Sequence, residues 1–112
     1  VYSGDDATAV AMMLCGGNGN ISVVANVMPR QMHEMCMAAM SGDAATAMKL
    51  YNQMAPLAEK LFVEANPIPV KWALWAMGKA DRGIRLPLTE LSAGGQDTVR
   101  KALAECGVSL AK

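Results

Sequence analysis

The sequence predicts an α/β chain in which two short parallel strands come first and consecutive helices make up most of the rest. Three observations predict it. "VYSG" (1–4) is a short β-branched and aromatic stretch stopped by Gly4. "NISVV" (20–24) is a charge-free run of the kind that suits a strand buried on both faces, as in parallel sheets. After residue 25 the apolar residues recur at helical spacing, with no further strand pattern of comparable strength. The order strand, helix, strand, helix with glycine-rich joints is a βαβα unit. Two strands do not make a stable parallel sheet alone, so the remaining strands are expected from elsewhere in a longer parent chain.

Each element has its own signals. "DATAVAMMLC" (6–15) reads as a helix that Asp5 or Asp6 can cap and that Gly16 and Gly17 stop. Pro29 opens the next helix, whose Met28, Met32, Met35, Cys36, Ala39 and Met40 share one face. "SGD" (41–43) ends it, and Asp43 caps a long helix with Ala47, Met48, Tyr51, Met54, Ala58, Leu61 and Phe62 as its apolar stripe, bent at Pro56. In "NPIPVKWAL" (66–74) Asn66 is expected to cap a helix with Pro67 at its first position and Gly78 as its end. "RLPLTELS" (85–92) reads as an extended crossing segment. A last helix is expected over about 95–106, with Val99, Ala102, Leu103 and Cys106 inward and Gly107 as the stop.

Bulk composition excludes some functions. Ten basic residues balance ten acidic ones, which argues against a nucleic-acid or anionic-membrane surface, since both need a basic excess. No apolar run approaches the ~20 residues of a membrane span. The three cysteines are few and far apart, so a disulfide framework is not expected and a reducing cytoplasm is. Hydrophobic residues make up 53%. For a chain with so much surface per volume that excess needs covering, by a larger parent or by other subunits.

Several motifs could carry chemistry. "GGNGN" (16–20) resembles a phosphate-cradling loop, but it precedes a strand and lacks the third glycine of the dinucleotide fingerprint, so a helix stop is the better reading. His33, Glu34 and Cys36 offer metal-ligand types, yet their spacing does not share one helical face, and no metal is expected. The ten methionines could form an adaptable partner groove, though their spacing favours core or subunit packing. Asp5 and Asp6 could pair as acid and base, but adjacent acids at a helix start more often cap it. Lys71 lies among apolar residues, as a Schiff-base nucleophile can. Its place within a helix makes a structural role the better reading.

Specific words go further. "YSGDD" (2–6), "GGNGNISVVANV" (16–27), "LFVEANPIPVKWAL" (61–74) and "RLPLTELS" (85–92) occur in that order and together resemble the C-terminal portion of the dihydrodipicolinate synthases, members of the pyruvate-dependent class I aldolase superfamily. The resemblance covers essentially the whole chain. It implies a (β/α)8 TIM barrel followed by a C-terminal helical extension, with 1–4 and 20–24 as the last two strands. Residues 1–42 would then be the last two β/α units and 43–112 the extension. It implies a cytoplasmic homotetrameric lyase that condenses pyruvate with aspartate semialdehyde through a lysine Schiff base, in lysine and diaminopimelate biosynthesis. No cofactor or metal is implied.

By the same comparison the Ile21 main-chain carbonyl faces pyruvate, Gly4 lines the pocket and Asn66 borders the entrance. The Schiff-base lysine, the proton-relaying tyrosines and the carboxylate-binding residues of the family lie on earlier strands, so no catalytic residue is expected in this chain. Helix 7–15, with Val10, Met13 and Leu14, matches a region that joins dimers into tetramers. Two alternatives stay open: another pyruvate aldolase, such as an N-acetylneuraminate or keto-sugar lyase, and a non-catalytic helical assembly module.

Overall fold

Neither expected strand forms as a strand. The computed structural model describes residues 1–112, and in it a single parallel bridge, Ser3 with Asn20, stands where two strands were expected. Residues 1–3 and 18–21 do run side by side. The amide of Asn18 donates to the Val1 carbonyl at 2.7 Å, that of Ser3 to Gly19 at 2.9 Å, and that of Ile21 to Ser3 at 2.8 Å. The pairing therefore starts two residues earlier than "NISVV" and stops at Ile21. Val24–Asn26 turns instead into a short 3₁₀ helix. The reason is local: the amides of Val23 and Val24 are taken by the Asp6 carboxylate, which leaves them nothing to give a neighbouring strand.

The helices follow the expected order. They are α1 (Ala9–Leu14), α2 (Pro29–Met40), α3 (Ala44–Lys60), α4 (Ile68–Ala76) and α5 (Ala93–Glu105). Helix α1 is shorter than 6–15, and neither Asp5 nor Asp6 caps it. It ends at Gly16, whose φ of 106° lies in the left-handed region that favours glycine. In α3 the Asp43 side chain accepts the Thr46 amide at 3.1 Å, as a helix cap does. The Thr46 side chain first, and then its amide, hydrogen-bond the Asp43 carboxyl and hold it below the usual aspartate range. A depressed carboxyl contributes stability above its unfolded pKa of about 3.9 and loses it as pH falls through the folded value. Asp43→Ala is thus expected to lower the melting temperature at pH 7, by an amount that shrinks as the pH falls below the usual aspartate range, in paired thermal melts.

Helix α4 differs from expectation at its start. Pro67 is the capping residue, with no side-chain cap bond, and the proline inside the first turn is Pro69. Asn66 thus lies one residue outside the helix. The fixed φ of Pro69 and its missing N–H are tolerated there because first-turn amides have no intrahelical partner. At α5, Ser92 caps by accepting the Gly95 amide at 3.1 Å, and the Ser92 hydroxyl also bonds the Glu64 carboxylate, tying this helix to the loop after α3. The segment 85–92 is non-helical, with a turn at Leu86–Pro87 and Leu91 buried.

One hydrophobic cluster joins all five helices, from Ala9 and Val10 to Leu103. Helix α2 packs on α1 and α3, and α3 packs on α5, so the paired segments and the 3₁₀ turn sit at one end of a helical body. Met28, Met32, Met35 and Ala39 face inward on α2 as their spacing requires, while Met40 stays exposed. On α3 the buried line is Ala47, Met54, Leu57 and Leu61; Met48 and Phe62 are exposed instead. Val10 and Met13 of α1 are also buried within the chain, which leaves Leu14 as the exposed member of that trio.

Candidate functional site

The site expected from the sequence lies where the paired segments part. The last bond between them is that of the Ile21 amide to the Ser3 carbonyl, and Gly4 and Ile21 follow it as neighbours on an open surface. The Ile21 side chain is 75% exposed, and no N–H of the chain donates to its carbonyl. A Cβ placed on Gly4 would touch nothing within 4 Å. The result is a free main-chain carbonyl beside an uncrowded glycine, at the C-terminal end of a parallel pair.

Two clusters hold this end in shape. The Ser3 side chain accepts the Asp5 amide and donates to the Asp5 carbonyl, both at 3.1 Å, which turns the chain directly after Gly4. Asp6 then points inward, 4% exposed. Its Oδ1 accepts the Asn20 side-chain amide at 2.8 Å, and its Oδ2 accepts the amides of Val23 at 3.1 Å and Val24 at 3.0 Å. Ser22 caps the turn by accepting the Ala25 amide at 2.9 Å. Gly19 is needed beside this loop: with φ of 153°, a Cβ there would stand 3.1 Å from the Tyr2 ring.

The structure brings Gly4 and Ile21 together and does not bring Asn66 to them by any hydrogen bond. Asn66 is exposed, just ahead of α4. Lys71 is half-buried on α4, where its backbone amide donates to Pro67 at 3.0 Å, and its side chain has no ion-pair partner. His33 and Glu34 are exposed on α2, while Cys36 is partly buried. The role of Asp6 was missed because two adjacent acids ahead of a helix read as a cap; its 17-residue reach to Val23 leaves no local pattern.

Burial, and then the Asp6 charge, push the Cys36 thiol up; burial does the same to Cys106, partly offset by a hydrogen bond with the Leu57 backbone. The thiolate is the reactive form. Both thiols are therefore expected to alkylate with iodoacetamide at pH 8 more slowly in the native chain than in urea, as mass spectrometry of labelled peptides reads directly. The chain's sizeable groove is elsewhere. It has a volume of about 450 Å³, lies between α3 and α5, and is lined by Asn52, Lys60, Lys101 and Glu105 among others, none of them a residue of the paired end.

One parallel bridge backed by five helices, with a free carbonyl and an open glycine just beyond it, defines a mostly helical class of chain with a short paired end. The family is more particular. Residues 1–106 match the Dihydrodipicolinate synthetase family, and the chain belongs to it. It is 60% identical over 108 residues to the 4-hydroxy-tetrahydrodipicolinate synthase of Ralstonia nicotianae, covering 96% of this chain and 37% of that protein. The synthase of Pseudomonas aeruginosa is 58% identical over the same shares.

Among solved structures, the chain superposes with a TM-score of 0.95 and 51% identity on the dihydrodipicolinate synthase of Acinetobacter baumannii complexed with pyruvate, covering 97% of this chain and 38% of that one. With the Aquifex aeolicus enzyme the TM-score is 0.96 at 41% identity, covering 100% and 38%. The chain thus spans little more than a third of the length of these relatives. No helix in it is long and apolar enough to cross a membrane.

Proposed function

We propose that this chain is the C-terminal part of a 4-hydroxy-tetrahydrodipicolinate synthase. That enzyme is a lyase condensing pyruvate with aspartate semialdehyde in lysine and diaminopimelate biosynthesis. The observation that carries the reading is the free Ile21 carbonyl beside Gly4, in a chain matched to the family over residues 1–106. In this reading residues 1–42 supply the last two β/α units of a TIM barrel and 43–112 its helical extension. The Schiff-base lysine comes from an earlier strand. Its amine adds to the pyruvate ketone and water leaves; the resulting imine loses a methyl proton, and the enamine attacks the aldehyde carbon. Gly4 leaves room for pyruvate, Ile21 presents its carbonyl to it, and Asn66 borders the way in. No metal or cofactor is needed, because the imine is the electron sink.

Assembly follows the same reading: a cytoplasmic homotetramer in which helix 7–15 meets another subunit. Val10 and Met13 are engaged inside the chain, so the contact falls to Leu14 with Ala7, Ala11 and Cys15, which are exposed. Borohydride trapping tests the proposal. A full-length protein carrying this chain should gain one reduced pyruvate on a lysine outside residues 1–112, and should turn over aspartate semialdehyde. An adduct without that turnover, but with cleavage of a sialic or keto-sugar acid, makes it a different aldolase. No adduct leaves a helical assembly module. Residues 1–112 alone are expected to show no synthase activity.

A further inference from the structure

Asp6 is a buried carboxylate without a cation. At 4% exposure it has no lysine, arginine or histidine partner; the ion pairs of the chain are Lys60–Glu59 and Arg82–Glu90. Removing a carboxylate from water is costly unless hydrogen bonds replace the water. All its intersegment donors come from one loop. The Asn20 side-chain amide reaches it from one side of Ile21, and the Val23 and Val24 amides reach it from the other. The Ile21 amide is meanwhile fixed on Ser3. Four donors thus fix the residues around Ile21, while its own carbonyl takes no hydrogen bond from the chain.

We infer that Asp6 is a positioning residue for pyruvate, setting the direction of the Ile21 carbonyl by clamping the loop on both sides of it. The inference rests on the reading of Ile21 and Gly4 as pocket residues. It goes beyond that reading by assigning a buried side chain that touches no substrate. What matters is the placement of three acceptor contacts, because a site group must be held within about 0.5 Å of its productive geometry. The charge itself is not the working feature. An asparagine in place of Asp6 can still accept from Val23 and Val24 and donate to Asn20, whose amide turns its oxygen inward. A glutamate keeps the charge and moves the acceptors by one methylene.

The test uses the full-length synthase carrying this chain and measures the rate of pyruvate imine formation by quenched borohydride trapping, well below each variant's melting temperature. Asp6→Ala is expected to slow imine formation by about 100-fold, the loss typical of a displaced positioning contact, and Asp6→Glu by about tenfold. Asp6→Asn is expected to stay within about threefold of the parent, as the rescuing isostere. A purely structural role would lower melting temperatures and leave the imine rate of the folded variants at the parent value, which would overturn the assignment. So would an asparagine variant as slow as the alanine one, since that makes the charge essential. If Asp6→Ala does not fold, the order of Asp6→Asn and Asp6→Glu decides: asparagine faster supports the clamp, glutamate faster refutes it. If the parent itself traps no pyruvate, the reading of the pocket fails instead.

Discussion

Truncating Leu57 to alanine is expected to lower the unfolding free energy by about 3–5 kcal/mol, the range for fully buried leucines that leave a cavity. Leu57 is 0% exposed, at the centre of the buried line of α3. This helix packs on α1, α2 and α5, so a cavity there loosens the whole body rather than one pair. The residue before it is Pro56, which has no amide to give the helix ladder. Packing by Leu57 therefore holds a turn that hydrogen bonding holds less well. Met48 is the control: on the same helix but 42% exposed, its change to alanine should cost less than about 0.5 kcal/mol. Urea midpoints at constant slope give both numbers. Equal costs for the two variants would mean that the buried face of α3 has been assigned wrongly.

The second large effect separates function from stability. Gly4→Val should leave folding within about 0.5 kcal/mol of the parent, because a Cβ there meets nothing within 4 Å and its backbone lies outside the left-handed region. A branched side chain is also well tolerated at the end of an extended segment. In the full-length enzyme the same valine would occupy the space beside the Ile21 carbonyl. The kcat/KM for pyruvate is expected to fall about 100-fold, mostly through KM, as loss of binding room does. Steady-state kinetics and a thermal melt on one preparation check both halves. Parent-like kinetics would remove Gly4 from the pocket, and a large loss of stability would show that the glycine serves the fold.

The helices were legible because their signals are local. Asp43 caps α3, Pro29 opens α2, and the four-then-three spacing of Met28, Met32 and Met35 marks the buried face of α2. The strands were not, because a strand is completed by its neighbours. "NISVV" has the composition of a buried strand, yet only its first two residues take part in the pairing, and the Asp6 carboxylate takes the amides of Val23 and Val24. Asn66 looked like a cap from composition, but Pro67 takes that position. Leu57 lies outside the expected stripe, which ran through Ala58, yet it falls three residues after Met54 and four before Leu61 and so shares their buried face. Of the proposed site, Gly4 and Ile21 are named only through the resemblance that the words around them carry. The Asp6 clamp was not legible, since it joins residues 14 to 18 positions apart across a turn.

The inward methionines have a practical consequence for spectroscopy. Met13, Met28, Met32, Met35 and Met54 are each at most 5% exposed, and Met37, Met40 and Met48 stand out in solvent. Carbon-13 labelling of the methionine methyl groups would therefore supply narrow reporters both within the helical body and on its surface, with no engineered tag. Met32 is the most informative of them. Its sulfur lies 3.6 Å from the Asn20 amide that Asp6 holds, so its methyl resonance would register a disturbance of that loop before any assay of turnover did.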